Sequence, residues 1–180
     1  MMSSMTPPNR DLVIATPRLT LRATRLSDVP RFTEIESNWN VAKMLRTAPW
    51  PVIEANMAAW VATHPQEWVG GTAYRFTILR GELVIGMCDI GGIADQCGGF
   101  GYWLDEAFWG HGYAKEAATA VLALARDQFG LTRFKSGHIA ENLASGKILR
   151  FLGFQELAQE IRHATPRGED VPYIPYVLES

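Results

Sequence analysis

Gly101-Tyr102-Trp103-Leu104-Asp105-Glu106-Ala107-Phe108-Trp109-Gly110-His111-Gly112-Tyr113-Ala114-Lys115-Glu116 is the stretch on which the fold of this chain turns. An apolar run from Phe100 to Leu104 stops at Asp105 and Glu106. The turn Trp109-Gly110-His111-Gly112 follows, and an alanine-rich helical pattern opens at Tyr113. A strand, a glycine turn and a helix start in succession present several unpaired backbone N–H groups to an anion. Gly110 and Gly112 let the main chain approach a bulky phosphate, and the helix dipole adds roughly half a positive charge. A pyrophosphate fits such a place. The same kind of turn also serves as a plain connector between core elements. The dinucleotide fingerprint fails for want of its third glycine, and the triphosphatase loop fails because no Gly-Lys-Ser/Thr follows. An anion held here belongs to another cofactor class.

Outward from this stretch the pattern alternates strands and helices. Arg18 to Arg22 alternates as a strand, and Ser27-Asp28 caps a helix through Val29, Phe32 and Ile35. A second helical pattern runs from about 53 to 63 after Pro49 and Pro51. Tyr74 to Leu79 and Leu83 to Ile90 read as strands joined at Arg80-Gly81-Glu82, and the glycine-rich 91–99 segment reads as a turn or loop. The helix after Gly112 carries one apolar stripe, Ala114, Ala117, Ala118, Val121, Leu122, Ala125 and Phe129, and Gly130 stops it. Phe134 to Ile139 is a strand, Asn142 to Leu152 a short helix, and two last strands span about 154–162 and 172–178. The order predicts an α+β domain over residues 13–180, with residues 1–12 as a loose tail and no repeats or second domain.

Composition narrows the class of function. A chain of 180 residues with 47% hydrophobic and 20% charged residues reads as an ordinary globular domain. A net charge of −2 gives no global electrostatic case for nucleic acid or an anionic membrane. Cys88 and Cys97 are the only cysteines and show no metal-ligand spacing, so two reduced thiols and no metal are expected. Met1 to Arg10 is polar, and no run nears the roughly 18 apolar residues of a membrane span. The expected compartment is the cytoplasm, and the expected state a monomer or homodimer.

Three separated segments resemble one family. Ala15-Thr16-Pro17-Arg18-Leu19-Thr20-Leu21-Arg22, with Leu26-Ser27-Asp28, is similar to the opening of the Rim-type branch of the Gcn5-related N-acetyltransferases (GNAT). That branch includes acetyltransferases of ribosomal-protein N-termini. The stretch from Gly101 to Leu104, then from Trp109 to Ala117, resembles its acetyl-CoA pyrophosphate loop. Glu141-Asn142-Leu143-Ala144-Ser145, running into Leu149, Leu152, Gly153 and Phe154, resembles its third motif. The resemblance implies a mixed, mostly antiparallel sheet of about seven strands with about four helices, and a splayed cofactor cleft.

It also implies roles. Backbone groups of Trp103 and Leu104 would pair with the pantetheine amides as an added strand would. Trp109 and Gly110, with the N–H groups of His111, Gly112, Tyr113 and Ala114, would hold the pyrophosphate. Asn142, also a natural helix cap, would bond the pantetheine arm. Lys147 and Arg150, three apart, can share a helix face toward a phosphate or solvent. Ser145 sits where the branch places a serine near the thioester sulfur; the plainer reading is a helix-start serine satisfied by backbone.

The base is less direct, because Gly99 stands where many relatives carry a glutamate. Asp89 on the preceding strand is the leading substitute, with Glu34 and Glu36 as weaker ones expected at the surface. His64 and His163 carry no catalytic pattern and are also expected there. Trp39, Trp50, Trp60 and Trp68 either build an apolar acceptor pocket or pack the early helices on the sheet. The expected function is transfer of an acetyl group from acetyl-CoA to a primary amine, on a protein N-terminus or a small molecule, directly in a ternary complex. The missing carboxylate favours an α-amine over lysine. The alternative is a catalytically inactive acyl-CoA-binding or sensor protein of the same fold.

Overall fold

The computed structural model describes residues 7–179. In chain order its elements are β1 (Val13–Ala15), β2 (Thr20–Ala23), α1 (Val29–Glu36), α2 (Trp39–Ala42), α3 (Glu54–Val61), α4 (His64–Val69), β3 (Tyr74–Arg80), β4 (Leu83–Ala94) and β5 (Cys97–Leu104). There follow α5 (Tyr113–Phe129), β6 (Arg133–Ile139), α6 (Leu143–Phe151), β7 (Gln155–Glu156), β8 (Glu160–Ala164) and β9 (Glu169–Glu179). One sheet holds all the strands in the order β1-β2-β3-β4-β5-β6-β9-β7, with β8 also on β9. Every pairing is antiparallel except β5 with β6. The expected α+β fold is the one observed.

Nine strands and six helices among the described residues replace the expected seven and four. The additions are pieces of two to six residues, β1, β7, α2 and α4, too short to show a period, and the single strand expected over 154–162 divides into β7 and β8. The 91–99 segment holds the expected turn, but only at Asp95 and Gln96, and the rest of it is strand rather than loop. β4 and β5 continue through it as a hairpin, and Asp95 and Gln96 take positive φ (49° and 60°) at the two-residue turn. One of its glycines serves packing: a Cβ on Gly98 would meet Ile90 Cγ2 at 2.4 Å. Residues 7–12 are held rather than loose. Trp68 Nε1 donates to Pro8 O (2.6 Å), Arg10 donates to Thr24 O (2.6 Å), and Leu12 packs on the core. The rest of the expected tail, residues 1–6, lies outside the described residues.

Strand alternation sends Phe100 and Leu104 of β5 to one face, where the α5 stripe covers them. Ala117, Ala118, Val121 and Ala125 are fully buried there, and their small side chains bring the helix axis close to the sheet. On the opposite face α1 and α3 cover Met87 of β4 through Val29, Phe32, Met57 and Val61. Phe32 meets the Trp103 ring edge-on at 5.2 Å.

Asp28 locks the entry to α1. Burial alone would raise its carboxyl. The Arg22 fork (2.9 and 2.7 Å), the Thr77 hydroxyl (2.7 Å) and the Arg25 N–H (2.9 Å) outweigh that and hold it below the usual range. A carboxyl whose folded pKa is depressed adds stability above its unfolded value, lost as pH falls through the carboxylate range. Asp28→Asn should therefore cost about 3 kcal/mol in urea unfolding at pH 7, with the gap to the parent closing below about pH 4.

Candidate active site

β5 and β6 pair only at Cys97↔Arg133, Gly98↔Phe134 and Gly99↔Lys135. Beyond that point β5 stays on β4 as far as Leu104, and β6 stays on β9 as far as Ile139. The strands splay as expected, and Ser136 Oγ donates to Phe100 O (2.9 Å) at the fork.

Antiparallel alternation decides which main-chain groups border the gap. Asp105 N–H bonds Ile85 O (2.8 Å), and a Cβ on Gly86 would meet Trp103 O at 2.2 Å, so both residues face β4. Phe100 O and Leu104 O face the other way, taking Ser136 Oγ and Trp109 Nε1 (3.0 Å). Of the expected pair, Leu104 borders the gap with its main chain and Trp103 does not. Tyr102 replaces it, and Trp103 contributes its ring.

Past the end of β5 the chain turns into α5. Gly110 and Gly112 take positive φ (76° and 79°), and Gly112 caps the helix. Glu116 N–H takes Gly112 O (3.0 Å), which leaves the N–H groups of Tyr113, Ala114 and Lys115 with no acceptor inside the helix. A groove of about 610 Å³ runs past Trp103, Leu104, Trp109, Gly110, Gly112, Tyr113, Ala114 and Lys115 to Lys147 and Asn142. His111 does not line it. Its ring stacks on Tyr113 at 5.6 Å, and its carbonyl accepts from Arg18 (2.8 Å).

Helix α6 supplies the far wall. Asn142 Oδ1 accepts from Ser145 N–H (3.2 Å), so this side chain caps the helix and still lines the groove. Ser145 Oγ lies 3.0 Å from the Tyr102 hydroxyl, which burial pushes up to about 12. Lys147 faces the groove. Arg150 is drawn off to Glu156 and to the Tyr176 hydroxyl (both 2.9 Å), so the two cations do not act together.

A second cavity, of about 700 Å³, opens on the α1 and α3 side and meets the first at Tyr102, Trp103, Asn142 and Ser145. Asp89 lines it, opposite Gly101 in the β4–β5 register. Gly99 and Gly101 share a sheet face, so Asp89 brings a carboxylate from the next strand to the face on which Gly99 has none. A Cβ on Gly101 would sit 3.1 Å from Asp89 Oδ1, so this glycine keeps room for it. Burial raises Asp89 to about 6 despite its ion pair with Arg75, which also grips Glu67 (2.9 Å).

Glu36 corrects the expectation most. It lines the same cavity, is only 4% exposed, and burial with no compensating donor pushes its carboxyl up to about 7. Glu34 is at the surface, paired with Arg31 (2.8 Å). His64 is buried, not at the surface: Nδ1 meets Thr24 Oγ1 at 2.7 Å, and burial with Arg75 nearby lowers it to about 4. His163 is exposed and meets Asp170 (3.0 Å). Of the four early tryptophans only Trp60 lines the cavity. Trp68 packs in the core on Tyr74 and Phe76, and Trp39 pairs with Trp50 (5.0 Å) near the surface.

An acetyltransferase (GNAT) domain model matches residues 18–155. The uncharacterized N-acetyltransferase p20 of Bacillus licheniformis is 31% identical over 164 residues, covering 87% of this chain and 90% of that protein. The chain belongs to the GNAT family. Family membership makes it an acetyl-CoA-dependent N-acetyltransferase. In fold it is similar to a RimL ribosomal L7/L12 alpha-N-protein acetyltransferase in complex with coenzyme A (TM-score 0.83, 21% identity, 93% of this chain and 98% of that one). It is also similar to the ribosomal-protein-S5-alanine acetyltransferase of Vibrio fischeri (TM-score 0.84, 17% identity, 94% and 97%).

Sequence reasoning about this acetyltransferase missed Tyr102 and Arg75. Tyr102 was within reach, since period-2 counting from Phe100 gives its main-chain direction. Arg75 had no local signal, because its partners come from α4 and β4. Glu36, protonated more readily folded than unfolded, loses stability as pH rises from about 4.5 to about 7. Glu36→Gln should thus stabilise the fold by about 1–3 kcal/mol at pH 8 and by little at pH 4, read from urea unfolding at both values.

Proposed function

We propose that this acetyltransferase moves the acetyl group directly from acetyl-CoA to a primary amine, on a protein N-terminus or a small molecule, within a ternary complex. The observation that carries this reading is the meeting of the two cavities at Tyr102 and Ser145, one reaching the glycine loop and the other reaching Asp89. The residues along the groove fit the donor. Tyr102 and Leu104 offer main-chain groups on an unpaired strand edge, as strand addition requires. The N–H groups of Gly112, Tyr113 and Ala114, on a loop shaped by Gly110 and Gly112, suit a diphosphate, and His111, which stands outside the groove, is not among them. Trp109 borders that loop, Lys147 adds positive charge, and Asn142 keeps its amide N–H groups for the pantetheine arm. Coenzyme A in the RimL structure of the same fold supports this assignment. A cytoplasmic setting agrees with Cys88 and Cys97 standing as free thiols.

The acetyl thioester is the acyl source. Asp89 takes the proton from the amine nitrogen, directly or through water, as that nitrogen bonds the acyl carbon. Ser145, oriented by Tyr102, donates a hydrogen bond to the sulfur as the C–S bond breaks. The amine must first shed its ammonium proton to water to reach the neutral, attacking form, which at pH 7 costs about 1.4 kcal/mol from an α-ammonium near 8. From a lysine near 10.4 it costs about 4.6 kcal/mol. The difference favours an N-terminal α-amine, the acceptor class named for the RimL fold relative.

Incubation with acetyl-CoA and short peptides should release thiol and give α-acetylated peptide by mass spectrometry. Asp89→Asn should lower kcat by about 10²–10³-fold, and Ser145→Ala by about 10-fold or more. Gly112→Asp and Lys147→Glu should each weaken coenzyme A binding in calorimetry. Thiol release unchanged in both variants, each shown to be folded, would refute the assigned groove.

A further inference from the structure

We propose that Glu36 is the seat of a second positive charge on the acceptor. The preferred acceptor is then a dication, carrying the amine to be acetylated and, a few bonds away, an amino or guanidino group. This rests on the acetyltransferase reading and names the substrate class of that same cavity.

Glu36 ends α1, one turn after Phe32 and on the same helix face, and Phe32 stands edge-on against Trp103. Its carboxylate thus belongs to the wall over β4, where it is more than nine-tenths buried and lines the acceptor cavity. Among the described residues it has no hydrogen bond and no ion pair. Met57, Val52 and Met87 line the cavity with it. A carboxylate in such surroundings is costly unless a cation meets it.

Neither arginine of the cavity is paired with Glu36. Arg75 is shared between Glu67 and Asp89 and lies over the Trp60 ring at 5.1 Å. Arg46 lies over the Tyr173 ring, on the β9 wall (5.8 Å). Asp89 therefore has its counter-charge built in, and Glu36 does not. An ammonium or guanidinium brought by the ligand completes Glu36 with charge-assisted hydrogen bonds, which are strong where water is excluded.

The reacting amine is not the partner. It must be neutral to attack, and an ion pair would hold its proton. Asp89, opposite Gly101 and lining the cavity that also reaches Tyr102 and Ser145, belongs to the reacting end. The cavity has one acid for each of two amines.

The test uses two matched pairs of acceptors: Ser-Lys-amide against Ser-norleucine-amide, and 1,4-diaminobutane against n-butylamine. The charged member should be preferred by about tenfold or more in kcat/KM, and the pair that shows the preference tells peptide from small diamine. In Glu36→Gln that ratio should fall to near one, through KM rather than kcat, and Glu36→Asp should restore part of it. Calorimetry on the coenzyme A complex should show 1,4-diaminobutane or Ser-Lys-amide binding more tightly than its uncharged match, with the difference lost in Glu36→Gln. A parent ratio near one in both pairs, or a ratio that Glu36→Gln leaves intact, overturns the proposal. So does an equal fall in kcat for both members of a pair, which would make Glu36 a proton acceptor instead. If none of the four is acetylated although coenzyme A binds, the reading of function fails, and the calorimetric comparison still decides the role of Glu36.

Discussion

Everything in this molecule depends on two neighbouring strands that pair for three residues and then part. β6 is committed to β9 along its whole length and β5 to β4 along most of its own, so neither can follow the other. Ser136 Oγ satisfies Phe100 O at the fork, and Trp109 Nε1 satisfies Leu104 O at the far end. Between them lies a strand edge without a neighbour. Buried main-chain N–H and C=O groups require partners, so the fold leaves a place for an extended, amide-bearing ligand. The direction of β5 also fixes where its last residues deliver the chain, at the glycine turn that opens α5.

The two faces of the sheet divide the chemistry. On the α5 side the alanine stripe gives a dense apolar core, with polar demands at the helix start and at the Tyr102–Ser145 pair. On the α1 and α3 side the sheet carries Arg75 and Asp89 in one cross-strand row, with Met87 and Trp103 in the next. Charges on such a floor are costly to bury, and the fold answers unevenly. Glu67, Arg75 and Asp89 compensate one another, whereas Glu36 is left to be neutral or to find a cation. Selection for stability alone would remove that carboxylate. Its place in the cavity that meets the glycine-loop groove agrees with the proposed role as the partner of a ligand cation.

The sequence discloses most where physics is local. The α5 stripe, the Gly110 and Gly112 turn and the Gly130 stop each follow from one helix period or one positive φ, and each is observed. The 91–99 hairpin misleads because glycine has two meanings there: it signals a loop by propensity but serves close strand packing against Ile90. Glu36 misleads because a lone glutamate on a helix is usually solvated, and only the packing of α1 over β4 buries it. The tryptophans could not be sorted at all, since Trp60 and Trp68 occupy similar helical contexts yet face a cavity and a core. Side-chain destination there is set by tertiary packing, which no short window contains.

One coupling between distant motifs explains why the connection from β1 to β2 matters to a loop about a hundred residues away. Glu116, in the first turn of α5, accepts from the Thr16 hydroxyl (2.7 Å), the Arg18 N–H (2.9 Å) and Arg18 Nε (2.6 Å). Arg18 then reaches back to His111 O (2.8 Å), and its guanidinium lies over the Tyr113 ring at 4.6 Å. The chain before β2 is therefore tied to both ends of the glycine turn. Glycine permits the turn but does not enforce it, because a residue free to adopt positive φ is equally free to leave it. Charge-assisted bonds from outside remove that freedom before any ligand arrives, so less ordering cost remains to be met on binding. This is why the opening segment and the turn, unremarkable separately, work as one structural unit.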